Sequence, residues 1–375
     1  MIVIERCAST REVLRRHGGS PLSYMATWRG NRYWFAPGGT VVVAYRLVGS
    51  VALTVGDPIG PAAELPAAVA AFTRFCRVNG WTPCLYGVTE ELSRSVTATG
   101  WRSVQVAEET RLPLATLSFT GRKWQDVRTA LNKARRAGVE AQWHRYHEMP
   151  ADLAVQVREI SRQWLAGKDM PEMRFTLGGL DELADDEVRC LLAVDADRTV
   201  HAVTSWLPVY RDGQTIGWTL DVMRRRAGSG NGITEFLIAS AALRFKAEGA
   251  AFASLSAAPL ARRAANPPQT GLERLLDRVA HTLEPVYGFG SLLAFKLKFQ
   301  PVCRPLYLLY PDPTTLPAIA AAVTRAYLPD LTVRQALRLL GRALRLRATG
   351  RRSTRQAGRS ADPAAQVGGL GWPPC

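Results

Sequence analysis

A charged pair at the end of an apolar run, Asp221 and Arg224, is the part of the sequence best suited to chemistry. A basic, glycine-rich loop follows the pair, and an apolar-periodic helix is predicted after the loop, over 233–248. A strand–loop–helix junction presents free backbone N–H groups at the helix N-terminus, which favours an anionic ligand. We therefore expect a phosphate-bearing substrate here, with group-transfer chemistry beside it.

The loop fits the R-x-x-G-x-G pattern with which acetyltransferases hold the pyrophosphate of CoA, with Arg225, Gly228 and Gly230 at the matching positions. These three residues are candidate substrate-binding residues. Asp221 has two interpretations, since an aspartate there either pairs with a neighbouring arginine or holds the amine of a substrate.

A second basic segment covers 119–138, where six Arg and Lys residues crowd one predicted helix and its approach. Arg128 and Lys133 lie within it, and Trp124 stands among them in sequence. Basic residues beside an aromatic side chain can hold a nucleic-acid backbone or a lipid phosphate. The alternative is an ordinary solvated basic helix.

A third candidate is the pair Lys296 and Lys298, two residues apart in the sequence FKLKF. On a strand, this spacing places both ammonium groups on one face and the apolar residues between them on the other. Two ammonium groups on one edge suit a phosphate or a developing oxyanion. The alternative is a half-buried strand with an ordinary polar face.

The charge balance points in the same direction as these motifs. The net charge is +16 and the pI is about 10.1. Residues 331–375 hold nine Arg and one Asp, hence +8, and the remaining +8 belongs to residues 1–330. A basic body favours a nucleic acid, a phosphorylated cofactor or an anionic membrane surface as partner. A basic protein without such a partner is the alternative.

Other classes of protein are disfavoured. The six cysteines form no C-x-x-C pair and the five histidines are scattered, so we expect neither a metal site nor a disulfide framework. No run of 18 apolar residues occurs, and the first 20 residues lack the apolar core of a signal peptide. We expect a cytoplasmic protein without a transmembrane segment, peripheral at the inner face of the cell membrane.

The order of predicted elements repeats along the chain, which indicates an α+β fold with mixed sheets built by duplication. The predicted helices cover 1–20, 66–78, 90–99, 123–137, 151–166, 233–248 and 272–283. The predicted strands cover 32–35, 40–47, 51–55, 83–88, 110–117, 188–194, 200–210, 215–223, 251–255 and 304–310. The predicted domains are 1–145, 146–325, a basic amphipathic helix over 326–347 suited to an anionic bilayer, and a disordered tail over 348–375.

Taken together, these segments resemble the cytosolic catalytic domain of the lysyl- and alanyl-phosphatidylglycerol synthases, the multiple peptide resistance factor family. The resemblance extends over about residues 20–320. The matching stretches, in the family's order, are 56–61, 109–138, 164–178, 221–224, 258–260, 286–301 and 307–308. It implies a tandem acetyltransferase-like (GNAT-type) fold. It also implies transfer of an amino acid from aminoacyl-tRNA to a hydroxyl, typically that of phosphatidylglycerol, with Asp221, Arg224 and Lys296 lining the catalytic site.

The implied reaction is a transesterification with aminoacyl-tRNA as co-substrate and no further cofactor. Asp221 would hold the α-ammonium group, while Arg224 and Lys296 would bind the lipid phosphate or stabilise the tetrahedral oxyanion. The basic helix with Arg128 and Lys133 would take the tRNA. No general base stands out, and His201, Glu235 and Glu273 are unsupported candidates.

The chain departs from the family pattern in two places. The large N-terminal membrane region of full-length members is absent from this sequence, so we expect a separate flippase or an acceptor that needs no flipping. Pro301-Val302-Cys303 also replaces the tryptophan that usually follows the lysine motif.

Two further functions stay open from the sequence. The first is an acyl-CoA-dependent N-acyltransferase, and the second is a non-catalytic basic protein that binds RNA or a membrane. The sequence leaves the amino acid, the acceptor and the oligomeric state undetermined.

Overall fold

An eleven-stranded mixed sheet runs through the described part of the chain. The structure is a computed structural model that describes residues 2–166, 173–259 and 289–330. The strands are β1 (Arg32–Phe35), β2 (Val42–Val48), β3 (Val51–Thr54), β4 (Thr82–Val88), β5 (Arg102–Pro113), β6 (Glu140–His144), β7 (Arg189–Val194), β8 (Val200–Arg211), β9 (Gln214–Arg225), β10 (Phe252–Pro259) and β11 (Val302–Tyr310).

Helices connect most of these strands and cover the sheet. The described helices are α1 (Ile2–His17), α2 (Leu65–Val78), α3 (Glu90–Thr97), α4 (Gln125–Arg136), α5 (Ala151–Ala166), α6 (Leu180–Leu183), α7 (Ile233–Ala247), α8 (Phe289–Leu297) and α9 (Leu316–Tyr327). Within these ranges, no helix is long and apolar enough to cross a membrane.

The sheet order is β1-β2-β3-β4-β11-β5-β10-β9-β8-β7-β6, which confirms the predicted duplication. In the first half, β1, β2 and β3 form an antiparallel meander and β4 then pairs parallel to β3. In the second half, β7, β8 and β9 form the same meander and β10 pairs parallel to β9. The mixed α+β class follows directly, because each half combines a meander with one helical crossover.

The last strand of each half lies against the other half. Strand β5, from the first half of the sequence, pairs with β10, and β11, from the second half, pairs with β4. The two exchanged strands also pair with each other, antiparallel from Arg102 to Arg111. The sheet is therefore continuous across the predicted boundary between domain 1–145 and domain 146–325.

Strand β5 corrects one sequence prediction, since it runs over 102–113 rather than 110–117. Its middle contains Glu108 and Glu109, and both carboxylates are buried. Each carboxylate has a partner on the same strand. The Gln105 amide donates to Glu108 at 2.9 Å, and the Arg111 guanidinium donates to Glu109 at 3.1 and 3.2 Å. Pairing of this kind makes burial of a carboxylate tolerable.

Helix α7 places the loop before it firmly against the sheet. Its predicted apolar side is confirmed, with Phe236, Leu237, Ala241 and Phe245 all buried. The ring of Phe245 stacks on Trp218 at 5.1 Å between centroids, with the ring planes 10° apart. Aromatic packing of this kind fixes the helix axis, and with it the position of the helix N-terminus.

Three predicted segments fall outside the described residues. The helix over 272–283 and the tail over 348–375 lie wholly outside them, and so does most of the amphipathic helix over 326–347.

Candidate active site

A bulge in β10 supplies the backbone carbonyl oxygens that accept hydrogen bonds in the site. The register of β10 against β5 shifts between Ser254 and Ala257, and Ser256 has φ +65°, which is rare for a residue other than glycine. The Nζ of Lys296 donates to the carbonyl oxygens of Ser256 at 3.2 Å and Ala257 at 3.1 Å, and the Thr110 hydroxyl also donates to the Ser256 carbonyl. The bulge therefore binds one ammonium group through two backbone carbonyl oxygens.

Lys296 is almost fully buried, with 3% of its surface exposed. Burial lowers the pKa of Lys296 to about 7, while the nearby negative charge of Glu109 opposes that shift. The Glu109 carboxylate is itself held by Arg111 and by the Ser254 hydroxyl, which donates to it at 3.1 Å. A buried amine with a pKa near neutral pH can be present as an ammonium group. In that form it can stabilise negative charge that develops during group transfer.

Lys298 lies apart from Lys296, so the two lysines do not share the strand face considered for them in the sequence analysis. Residues 289–297 form helix α8, and a tight turn continues it, with the N–H of Phe299 bonded to the carbonyl of Lys296. Residues two apart on a helix do not share a face. Lys298 is exposed, and its Nζ lies 2.9 Å from the Glu235 carboxylate on α7. This ion pair links the turn after α8 to helix α7.

Asp221 lies on β9, the strand next to β10. The two strands pair in parallel up to Thr219 opposite Ser254, and both Asp221 and the β10 bulge lie beyond this last pair. The Oδ1 of Asp221 accepts a hydrogen bond from the N–H of Gly178 at 2.8 Å. A Cβ on Gly178 would lie only 2.0 Å from Oδ2 of Asp221. A larger residue at this position would have to displace the carboxylate.

Arg224 lies on the same strand as Asp221 and is 5% exposed. Its guanidinium carbon is 4.8 Å from the centre of the Trp164 ring on α5, a distance typical of a cation–π contact. Arg224 lines a cavity of about 450 Å³. Leu177 lines this cavity and also a smaller one, of about 10 Å³, whose wall includes the bulge residues Ser256 and Ala257. The structure therefore brings Asp221, Arg224 and Lys296 to one region around Leu177.

The glycine-rich loop between β9 and α7 is found where it was predicted. Its backbone is tied to β8, because the N–H of Arg226 donates to the His201 carbonyl at 2.8 Å. Gly228 has φ +81°, and Arg225 is exposed at the end of β9. Lys133 of α4 reaches over the loop, since its Nζ is 3.3 Å from where a Cβ on Gly230 would lie. The fold thus brings the glycine-rich loop and helix α4, two basic segments predicted separately, next to each other.

Helix α4 presents a basic surface, but Trp124 is not part of it. Lys133 is exposed and Arg128 is half-buried, its guanidinium donating to the Gly121 carbonyl at 2.6 Å. Trp124 is 5% exposed and packs edge-on against Phe119 at 5.0 Å. It serves the core and cannot stack on a nucleic-acid base, so the expected aromatic contact is wrong.

The three base candidates gain no support from their positions. His201 Nε2 lies 2.8 Å from the Asp195 carboxylate, and Glu235 is paired with Lys298. Glu273 lies outside the described residues.

Sequence reasoning missed three arginines of the larger cavity, Arg29, Arg46 and Arg174. One signal was available, because Arg46 interrupts the otherwise apolar run of β2, VVAYRLV. An arginine inside such a strand requires either a buried partner or a cavity.

The described fold is a duplicated α+β unit with one continuous mixed sheet, and Asp221, Arg224 and Lys296 lie in the region around Leu177. The sequence profile of the family described as phosphatidylglycerol lysyltransferase, C-terminal, matches residues 11–310. The chain belongs to this family of transferases.

Individual relatives agree with this assignment. The chain is 39% identical over 321 residues to an uncharacterised protein of Corynebacterium glutamicum, covering 85% of this chain and 40% of the relative. It is 28% identical over 319 residues to the lysylphosphatidylglycerol biosynthesis bifunctional protein LysX of Mycolicibacterium vanbaalenii, covering 84% of this chain and 28% of LysX. The chain thus spans less than half the length of either relative.

A solved structure shows the same fold. The structure of L-PGS from Bacillus licheniformis superposes with a TM-score of 0.74 at 23% sequence identity, covering 85% of this chain and 96% of that one.

Proposed function

We propose that the protein transfers an aminoacyl group from aminoacyl-tRNA to a hydroxyl group of phosphatidylglycerol, at the surface of a membrane. The observation that carries the proposal is the buried Lys296, held by the bulge of β10, the strand that pairs with the Asp221-bearing strand β9. Membership of the phosphatidylglycerol lysyltransferase family supports the acceptor. The name of LysX makes lysine the first amino acid to test, with alanine second.

The reaction exchanges one ester for another. A hydroxyl oxygen of the lipid attacks the aminoacyl carbonyl carbon, and a new C–O bond forms. The bond to the ribose oxygen of the tRNA then breaks, and the proton of the lipid hydroxyl ends on that ribose oxygen. Since the aminoacyl ester is already activated, correct positioning supplies much of the acceleration.

The site residues take three roles in this scheme. The carboxylate of Asp221 binds the α-ammonium group of the aminoacyl moiety, because a charge-assisted contact fixes that end of the substrate. The ammonium of Lys296 stabilises the oxyanion of the tetrahedral intermediate from inside a buried site, where such a contact is strongest. Arg224 lies beside them and faces the cavity that adjoins the reacting centre.

The direct test uses purified protein, phosphatidylglycerol vesicles, and lysyl- and alanyl-tRNA with the amino acid radiolabelled. We expect label to move into the organic phase, and we expect prior RNase treatment to abolish that transfer. Protein denatured before mixing is the control for non-enzymatic transfer. Absence of lipid-soluble label with both aminoacyl-tRNAs would contradict the proposal.

The tRNA is expected to bind the basic surface formed by α4 and the glycine-rich loop. Reversing charge with Arg128→Glu and Lys133→Glu should raise the tRNA Kd at least about tenfold at low salt, because phosphate contacts dominate such binding. Filter binding over a range of salt concentrations measures the change. Lys133→Glu alone leaves the Arg128–Gly121 contact intact and should show part of the effect.

The matched control for this surface is the pair Arg74→Glu and Arg77→Glu, two exposed arginines of α2. Equal tRNA affinity in the two double variants would remove α4 as the RNA-binding surface.

A second function is favoured by one observation, the position of Lys133 above Gly230 in the R-x-x-G-x-G loop. That arrangement suits the pyrophosphate of CoA, and hence an acyl-CoA-dependent N-acyltransferase. A ligand at 100 times its Kd stabilises a protein by about 2.7 kcal/mol. A clear rise of the melting temperature with acetyl-CoA, together with no transfer from aminoacyl-tRNA, would favour this second function.

A further inference from the structure

The cavity of about 450 Å³ beside the candidate site is lined by four arginines, Arg29, Arg46, Arg174 and Arg224. They come from distant parts of the sequence and converge only in the fold. Four guanidinium groups around one concavity repel one another unless an anion lies among them. The cavity is therefore an unusual place to find so much positive charge.

Three of these arginines form no ion pair with the described residues. Across residues 2–166, 173–259 and 289–330, no carboxylate oxygen lies within 4.0 Å of a side-chain nitrogen of Arg29, Arg46 or Arg174. Two acidic residues, Asp181 and Glu182, also line the cavity. Glu182 accepts a hydrogen bond from the N–H of Gly179 at 2.7 Å, and this contact caps helix α6.

Arg46 is held in place by neutral groups. Its Nε donates to the Asn31 side-chain oxygen at 3.1 Å, and its guanidinium carbon lies 5.3 Å from the centre of the Phe175 ring. Burial lowers the pKa of Arg46, the charge of Glu182 opposes this shift, and the charge of Arg174 adds to it. An oriented, half-buried guanidinium that forms no direct ion pair gains more from binding an anion than a solvated guanidinium does.

The rest of the lining shows what kind of anion fits. Trp28, Leu165, Phe175, Leu177 and Leu180 supply apolar walls. A phosphate attached to an apolar body uses both kinds of surface, whereas an RNA backbone would leave the apolar walls unused. The chemistry of the cavity is that of a phospholipid headgroup with the first carbons of its chains.

The position of the cavity completes the argument. Leu177 separates it from the small cavity that borders Ser256 and Ala257, the two residues that bind Lys296. An anion held by the arginines would thus direct its neighbouring groups past Leu177 toward Lys296.

We propose that Arg29, Arg46 and Arg174 form the subsite that holds the phosphate diester of the acceptor lipid. This inference rests on the proposed function and deepens it. It divides the work of the cations, since the arginine cavity takes the phosphate and Lys296 is left for the reacting carbonyl.

The binding test uses dihexanoyl-phosphatidylglycerol below its micelle concentration, with calorimetry as the readout. Arg174→Gln and Arg29→Gln alter exposed side chains, so the fold should persist. Each variant should raise the Kd about tenfold, the loss expected for one charge-assisted contact. Arg46→Gln should act in the same direction. The control is Arg77→Gln, an exposed arginine of α2, which should bind like the wild type.

Two other probes identify the source of the anion. Glycerophosphoglycerol, which lacks acyl chains, should bind more weakly than the dihexanoyl lipid, and inorganic phosphate should bind more weakly still. Phosphate binding as tight as that of the lipid would overturn the lipid assignment. Equal lipid affinity in the arginine variants and in Arg77→Gln would overturn the subsite itself.

Kinetics separate this inference from the proposed function. In the transfer assay, Arg174→Gln should raise the KM for phosphatidylglycerol and leave the KM for aminoacyl-tRNA unchanged. The opposite pattern would place RNA in the cavity and contradict the proposal. The wild-type protein could bind the lipid in an arginine-dependent manner and yet transfer no amino acid. That result would contradict the proposed function while leaving the subsite intact.

Discussion

Replacing Lys296 with methionine should lower the rate of aminoacyl transfer about 10²–10³-fold, the usual cost of removing one preorganised group that stabilises an oxyanion. Methionine is similar in length and apolar, so it fills the buried space without a buried charge. The melting temperature should therefore change little. Initial rates with saturating aminoacyl-tRNA and phosphatidylglycerol measure the effect on catalysis.

The chain offers a matched control two residues away. Lys298→Met removes an exposed ammonium that pairs with Glu235, so it should cost little activity and at most about 1 kcal/mol of stability. Equal losses in the two variants would show that the segment tolerates neither change and that Lys296 has no special role.

The pH profile tests the charge state of Lys296. Because burial lowers the pKa of Lys296 to about 7, its ammonium form predominates below pH 7 in the free protein. If the ammonium form is the active one, kcat/KM should fall as the pH rises through about 7, by up to about tenfold per unit. A rate that instead rises through pH 7 would contradict the oxyanion role and make the neutral amine a base.

Replacing Asp221 with asparagine should lower kcat/KM for aminoacyl-tRNA about 10–100-fold, since one charge-assisted contact with the α-ammonium group is lost. Asparagine keeps the shape of the side chain and the acceptor for the Gly178 N–H, so the loop should stay in place. Steady-state kinetics with each substrate varied in turn would locate the loss on the aminoacyl-tRNA side.

Two companion variants sharpen this experiment. Asp212→Asn makes the same change in the turn between β8 and β9, where φ is +51° and asparagine is well tolerated, so activity should be retained. Gly178→Ala keeps the Asp221 carboxylate but displaces it, because the new Cβ would lie 2.0 Å from Oδ2. Full activity in Gly178→Ala would mean that the position of Asp221 is unimportant.

The sequence predicted those parts of the fold whose signals are local. Helix α5 was predicted with its observed bounds, Ala151–Ala166, because apolar periodicity and a proline before its start mark the helix clearly. The strand considered for the segment around Lys296 is wrong, although its five residues of alternating character are compatible with a strand. The apolar residues before Lys296 form a helix that extends to Leu297, and burial against the sheet favours this helix over a strand.

The candidate site was only partly predictable for the same reason. Asp221 and Arg224 could be found because they stand together at the end of one strand. The contact between Lys296 and the β10 bulge could not, since it joins residues 39 and 40 positions apart through a left-handed Ser256. Arg29, Arg46 and Arg174 could not be grouped either, because long-range packing alone brings them to one cavity.

The exchanged strands have a consequence for any attempt to shorten this protein. Strand β11 comes near the end of the described chain, yet it lies at the centre of the sheet, between β4 and β5. A truncation that removes it would split the molecule along its midline and expose two long, unpaired edges that invite aggregation. The same strand directly follows the segment that carries Lys296. Lys296, the proposed oxyanion-binding cation, therefore directly precedes a strand that is held on both sides by β4 and β5 of the first half.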